Sequence, residues 1–320
     1  MKLSKAILSA FALAASLVGV NAHASLASLA TFSGAGVGVT TSGCGSTTQS
    51  CNLTANVPAG ATILGAYLYT STFGFGGAGG TFNGNPVTYT AMGDNNGLEA
   101  GRMNVTAFVT GGGTFTVTET SGSQDGSALV VVYKDATSTD VRTVGILDGF
   151  SNSAGDSTSI TFGQGIDKTV AGFRAEMRLG IGFSYDGSPC GSSSSQTSSV
   201  AVNGTTITEN AGCNDDSIDA SPNNGNLITV GDDNDPISPF LPSIAADHER
   251  YNLANQITQG DTSISIRTRN ASGDDNIFLA VFEVSGEAKF NDVPEPMSLA
   301  LVGMGLLGLG MQRRSASRRA

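Results

Sequence analysis

The chain has 320 residues, 39% of them hydrophobic and none tryptophan, and carries 27 acidic against 16 basic residues for a net charge of −11. An excess of negative charge on this scale repels phosphate backbones and anionic lipid, which excludes nucleic acid and anionic membrane surfaces as partners. Glycine and small polar residues abound, but the apolar residues fall in short alternating runs, a pattern that predicts a folded β body rather than a disordered one.

Residues 1–24 open with Met1, Lys2 and Lys5, continue through the apolar run Ala6 to Val20, and end at Ala22-His23-Ala24. A basic start, a short apolar stretch and an Ala-x-Ala site form the three-part pattern of a secretory leader cut by signal peptidase, with Ala22 and Ala24 at the cleavage site. The run is too short to cross about 30 Å of hydrocarbon comfortably as a helix.

Residues 25–292 form the body, with 10 basic and 26 acidic residues. Its strand-like segments include Thr62–Tyr69, Pro86–Thr90, Thr114–Thr118, Ala128–Tyr133, Val144–Leu147, Ser159–Phe162, Arg178–Phe183, Ser263–Ile266 and Ile277–Phe282. β-Branched and aromatic residues at period two, punctuated by Gly, Asn and Asp, predict an all-β body of antiparallel sandwiches. No window keeps a helical period.

The sequence also carries a faint internal duplication. Phe82-Asn83-Gly84 before Val87-Thr88 matches Val202-Asn203-Gly204 before Ile207-Thr208, an Asn-Gly hairpin signal in each copy. Arg102-Met103-Asn104-Val105 matches Arg250-Tyr251-Asn252-Leu253 at an offset of 148, and the same offset aligns Leu129 with Ile277. These matches predict two jelly-roll-like sandwich repeats, residues 25–138 and 139–292, the second with an inserted loop at 210–246.

Four cysteines form two local pairs, Cys44 with Cys51 and Cys190 with Cys213. In an exported chain they read as disulfides; four cysteines allow three connectivities, and proximity favours the local one. Neither pair has the Cys-x-x-Cys spacing of a zinc site. His248 stands between Asp247 and Glu249 with no Gly-x-Ser-x-Gly elbow in the chain, and no pair of acids is singled out for hydrolysis. Asp232, Asp233 and Asp235, with Asp274 and Asp275, cluster hard oxygen donors; they read as solvated turns or, if they bind a metal, as a structural calcium site. No other cofactor is expected.

The last 28 residues hold Val293-Pro294-Glu295-Pro296, an uncharged stretch from Met297 to Met311, and then Arg313, Arg314, Arg318 and Arg319. As a helix the stretch reaches only about 22 Å, and the arginines hold it on the cytoplasmic side. This order of elements resembles the PEP-CTERM sorting signal of Gram-negative bacteria. The resemblance implies recognition of Pro294, Glu295 and Pro296 by an exosortase-type enzyme, a transient anchor in the inner membrane, and final release at the cell surface or outside. The body is similar to glycine-rich β domains of exported bacterial surface proteins. The expectation is therefore a non-enzymatic surface or extracellular-matrix protein, structural or adhesive, with exopolysaccharide as a partner. A secreted carbohydrate-binding or carbohydrate-hydrolysing protein is the alternative.

Overall fold

The structure, a computed structural model, describes residues 26–45, 50–73, 78–95, 97–120, 124–151, 154–182, 198–211, 228–243, 246–270 and 276–292. The first half of the body contributes β1 (Ala27–Ala35), β2 (Val37–Gly45), β3 (Ser50–Ala55), β4 (Thr62–Phe73), β5 (Gly80–Phe82), β6 (Asn85–Val87), β7 (Thr90–Asn95), β8 (Leu98–Asn104), β9 (Gly113–Glu119) and β10 (Gln124–Lys134). The second half contributes β11 (Val141–Asp148), β12 (Asp156–Phe162), β13 (Ala175–Gly182), β14 (Ser198–Val202), β15 (Thr205–Ala211), β16 (Ile228–Val230), β17 (Arg250–Asn252), β18 (Ser263–Asn270), β19 (Asn276–Ser285) and β20 (Ala288–Asp292). The described residues contain no α-helix. The leader and tail helices expected at residues 1–24 and 293–320 lie outside them.

All strand pairs are antiparallel, and they form four sheets. In order across each sheet these are β3-β9-β5-β6, β2-β10-β4-β8-β7, β1-β11-β19-β13-β16 with β17 also on β13, and β15-β14-β18-β12-β20. Three apolar clusters join them in that sequence. Leu53, Leu68, Phe82, Val117 and Leu129 fill the space between the first sheet and the second. Tyr69, Val130, Ile146, Phe278 and Val281 fill the space between the second and the third. Met177, Ile160, Tyr251, Ile264 and Phe282 fill that between the third and the fourth.

The layering explains the two kinds of strand. Outer strands alternate, as β9 and β12 do, because one face meets water. The inner strands β2 and β13 are buried at every position, since both faces are covered. The unbroken run Leu129-Val130-Val131-Val132 of β10 has the same cause.

The two Asn-Gly hairpins are built alike. Asn83 and Asn203 both sit at φ 48°, with Gly84 and Gly204 at 76° and 78°, the left-handed pair that a two-residue β-hairpin turn demands. Asn83 Oδ1 accepts from the Thr116 amide at 2.8 Å while the Asn83 amide donates to Thr116 O at 2.8 Å. Asn203 does the same with Ser265, at 2.9 and 2.8 Å. After β8, Asn104 Oδ1 accepts from Thr106 N; after β17, Asn252 Oδ1 accepts from Ala254 N, each opening a 3-10 turn.

The 148-residue offset does not extend to the closing strands. Leu68 lies between Met103 and Leu129, and Met177 lies between Tyr251 and Phe282. Leu129 therefore occupies the place of Phe282, not of Ile277, because the connection before β19 and the bulges at either strand shift the register. β1 pairs with β11, so the first strand of the body joins a sheet whose other members come from the second half.

Strand direction separates the two ends of the body. Ala27 pairs with Asp148 and Asp292 with Thr158, so the chain enters and leaves the body at one end, together with Gly45, Phe73 and Gly182. Lys134, Val141, Phe162 and Ser285 lie at the opposite end.

Candidate functional site

At the end away from both termini a cleft of about 750 Å³ opens between the β11 start, the segment after β12 and the β19–β20 turn. Its apolar lining comes from Val141 and Val170, which are 43% and 54% exposed, and from the buried Phe162 and Ile166. Asp140, Arg142, Gln164, Asp167 and Glu287 supply its polar groups. The walls are fixed by the backbone: Ile166 N donates to Asp261 O and Gly260 N to Ile166 O, both at 2.8 Å, and Gly286 N donates to Val141 O at 2.9 Å. Arg142 is held between Glu283 Oε1 at 2.8 Å and Asp140 Oδ2 at 3.0 Å. Asp167 caps its own turn by accepting from Thr169 N and Oγ1, which lowers its carboxyl below the ordinary range. The cleft thus offers preformed shape, apolar contact and fixed charges, the elements of a binding surface.

A charged network crosses between the two inner sheets. Arg178, with its side chain 4% exposed, donates to Glu176 Oε1 at 2.7 Å and Thr41 Oγ1 at 2.8 Å, and pairs with Asp233. Arg250, opposite Arg178 in the strand register, donates to Glu176 Oε1 at 2.9 Å and to the carbonyls of Asp233 and Asp235 at 2.8 and 3.1 Å. Thr41 in turn donates to Gly231 O at 2.6 Å, and a side chain at position 231 would strike Glu249 O at 2.4 Å, so only glycine lets the turn pack so close. Burial pushes the Glu176 carboxyl up, but Arg178 and Arg250 outweigh it and hold the group below its usual value. On the first-half side, Tyr69 Oη donates to Asp148 Oδ2 at 3.2 Å and Arg102 pairs with the same carboxylate. Burial raises the Asp148 carboxyl and keeps the Tyr69 phenol well above its usual range.

At the end where the termini emerge, Glu119, Asp125 and Tyr89 are 5%, 8% and 6% exposed. Ser127 Oγ donates to Glu119 Oε1 at 2.9 Å. Burial pushes both carboxyls up to about 7, and the Glu119 charge raises Asp125 further.

Of the residues singled out from sequence, Cys44 and Cys51 are disulfide-bonded, tying β2 to β3. Asp233 accepts from Thr40 Oγ1 and Asn56 Nδ2 besides Arg178, and Asp235 accepts from Asp232 N at 2.6 Å. These three aspartates are thus brought together with two arginines, and protein donors hold the carboxylates of Asp233 and Asp235. Among the described residues no group of three or more His, Cys, Asp or Glu is placed to hold a metal ion. Asp274, Asp275, Cys190, Cys213, Ala22, Ala24, Val293, Pro294, Glu295, Pro296, Arg313 and Arg314 lie outside the described residues. His248 donates its amide to Ser238 Oγ beside the buried Asp247 and Glu249.

Sequence reasoning passed over Glu176, Arg178, Glu119 and Asp125. The signal for the first two is present: Glu176 and Arg178 interrupt an apolar strand at i and i+2, which places both charges on one covered face.

Residues 292–314 match the PEP-CTERM protein-sorting motif family. This is an exported protein that passes through membrane-associated sorting. More particularly, the tail carries a PEP-CTERM protein-sorting motif, the kind of signal that an exosortase-type enzyme recognises. No curated protein matches the chain. Among solved structures it is similar to BuGH86, wild type and the E322Q variant, each in complex with neoagarooctaose, at 12% and 11% identity with TM-scores of 0.24 and 0.25. It is also similar to BpGH86A, a β-porphyranase of glycoside hydrolase family 86 from the human gut bacterium Bacteroides plebeius, at 13% identity and TM-score 0.23. The matches cover 85–86% of this chain but 35–38% of those chains, so it spans little more than a third of their length. Likeness this loose carries no argument about activity.

Proposed function

We propose that the chain is a non-enzymatic protein of the cell surface or extracellular matrix, structural or adhesive, whose body is a pair of tandem β-sandwich repeats. The observation that carries this reading is directional. The sorting motif begins at residue 292, the last residue of β20, so any tether leaves the body at the end where β1 also starts. The cleft lies at the other end, facing away from the tether. A body displayed in this way meets its surroundings, exopolysaccharide among them, with a rigid preformed surface. The leader at 1–24, removed by signal peptidase, supplies the export step that a sorted tail requires.

Deleting residues 293–320 tests the sorting half of the proposal. Surface display in the native host should be lost, with the body left in the periplasm or the medium; unchanged display counts against it. The binding half is tested by adding the full chain to host exopolysaccharide and comparing it with a Val141→Asp, Val170→Asp double variant. Retention of the parent and loss of the variant supports a surface role for the cleft. Release of reducing ends by the parent would instead make the protein an enzyme and overturn the reading.

A further inference from the structure

Most of the buried carboxylates are matched to donors. Asp148 has Arg102 and Tyr69; Glu176 has Arg178 and Arg250; Glu283 has Arg142 and Arg174; Asp247 has Thr208 and Tyr251. Glu119 and Asp125 differ. They lie at the end of β9 and the start of β10, close enough that the charge of one raises the other, and no basic side chain acts on either. Glu119 Oε2 and Asp125 Oδ2 have no hydrogen-bond partner. A third buried oxygen lies beside them: Tyr89 Oη sits in the field of Glu119 and next to Ser127. Ser127, fully buried, already serves Glu119 Oε1 and leaves Oε2 bare.

Buried carboxylate oxygens without donors are costly, and two acids side by side compound the cost. Positive charge relieves it. The donors here are all hard oxygens of two carboxylates and a phenol, the chemistry that suits calcium and not the softer metals. We infer that Glu119, Asp125 and Tyr89 form a calcium site that clamps the end of β9 to the start of β10 beside the Cys44–Cys51 disulfide, whose Cys44 pairs with Ser127 across the strands. Backbone carbonyls and water would complete the 6 to 8 oxygens that calcium takes. The site is separate from the Asp232–Asp235 turn, where protein donors already hold the Asp233 and Asp235 carboxylates.

The chain has no tryptophan and six tyrosines, so a bound lanthanide is excited through tyrosine, and Tyr89 is part of the inferred site. Terbium(III) and calcium are titrated into the purified full chain, followed by terbium emission and calorimetry. Saturable calcium binding that displaces terbium, with a rise of several degrees in Tm, is the expected result. Glu119→Gln with Asp125→Asn should weaken calcium binding at least tenfold. Tyr89→Phe, which removes the phenol donor and the sensitiser but neither carboxylate, should weaken calcium binding and lose most of the terbium emission, so the site can be read even if the double variant unfolds. No saturable calcium binding overturns the inference, as does unchanged binding in a folded double variant. A Tm that follows pH near 7 with no response to calcium also overturns it, leaving a proton as the sole counter-charge.

Discussion

The inner strands of the two halves share a backbone plan and differ in what they carry. Tyr69 of β4 lies opposite Arg102 of β8, as Arg178 of β13 lies opposite Arg250 of β17. In the first half a phenol and one arginine meet a single carboxylate, Asp148, contributed by the neighbouring sheet. In the second half two arginines share Glu176, and Arg178 reaches on to Asp233 and to Thr41 of β2. Both arrangements stitch the second sheet to the third, but only the second buries a fully ionic cluster. Outer hairpins, by contrast, repeat bond for bond around Asn83 and Asn203. Positions that face solvent turns are constrained by backbone geometry alone, whereas positions between layers must fit a partner that differs on each side.

The sharpest test of that contrast is removal of the arginine at the centre of each network. Arg178→Met should cost about 3–5 kcal/mol in denaturant unfolding, because Glu176 and Asp233 lose their common cation inside the protein. Arg102→Met should cost less, about 1–3 kcal/mol, since its side chain is 25% exposed and Tyr69 still donates to Asp148. Equal losses would show that the two networks do the same work despite their different chemistry.

Next in size is the disulfide. Cys44→Ser with Cys51→Ser opens a loop of sequence separation 7 and should lower stability by about 2–3 kcal/mol on the chain-entropy account. The effect falls on the first half, so unfolding followed by cysteine-free local probes should show the β2–β3 edge loosening before the third and fourth sheets.

The hairpins should respond alike. Asn83→Ala and Asn203→Ala each force an alanine into left-handed backbone and remove an acceptor for the Thr116 or Ser265 amide, at about 1–2 kcal/mol apiece. A difference above about 0.5 kcal/mol in thermal or denaturant unfolding would break the claim that the two turns are equivalent.

These turns were the part of the fold most legible from sequence, because Asn-Gly between alternating runs specifies a local conformation. The apolar runs of β10 and β19 were legible as interior strands for a similar reason: burial on both faces removes the alternation. The placement of β1 was not. Its partner β11 lies more than a hundred residues on, and nothing in Ala27–Ala35 distinguishes one edge from another. The register of the closing strands was hidden because the Gly- and Thr-rich composition lets a constant offset run through a connection of different length. The charged network was half visible: Glu176 and Arg178 show a covered polar face, but Thr41 and Asp233 meet it only through the stacking of sheets.

The smallest effect, and the one that separates pairing from burial most cleanly, is in pH. Glu176 is held below its ordinary value by its two arginines, so the folded state binds its proton less readily than the unfolded chain does. Its contribution is therefore present above the ordinary glutamate range and is lost as pH falls through it. Asp247 has the opposite sign. Burial raises its carboxyl despite donors from Thr208 and Tyr251, so the folded state takes up a proton first, and stability from this group grows as pH falls from the raised value toward the ordinary aspartate range. Denaturation midpoints measured between about pH 3 and 7 should accordingly lose part of their acid decline in Glu176→Gln and decline more steeply in Asp247→Asn, relative to the parent. Slopes that shift in the same direction in both variants would mean that burial, and not the arginine pair, sets the state of Glu176.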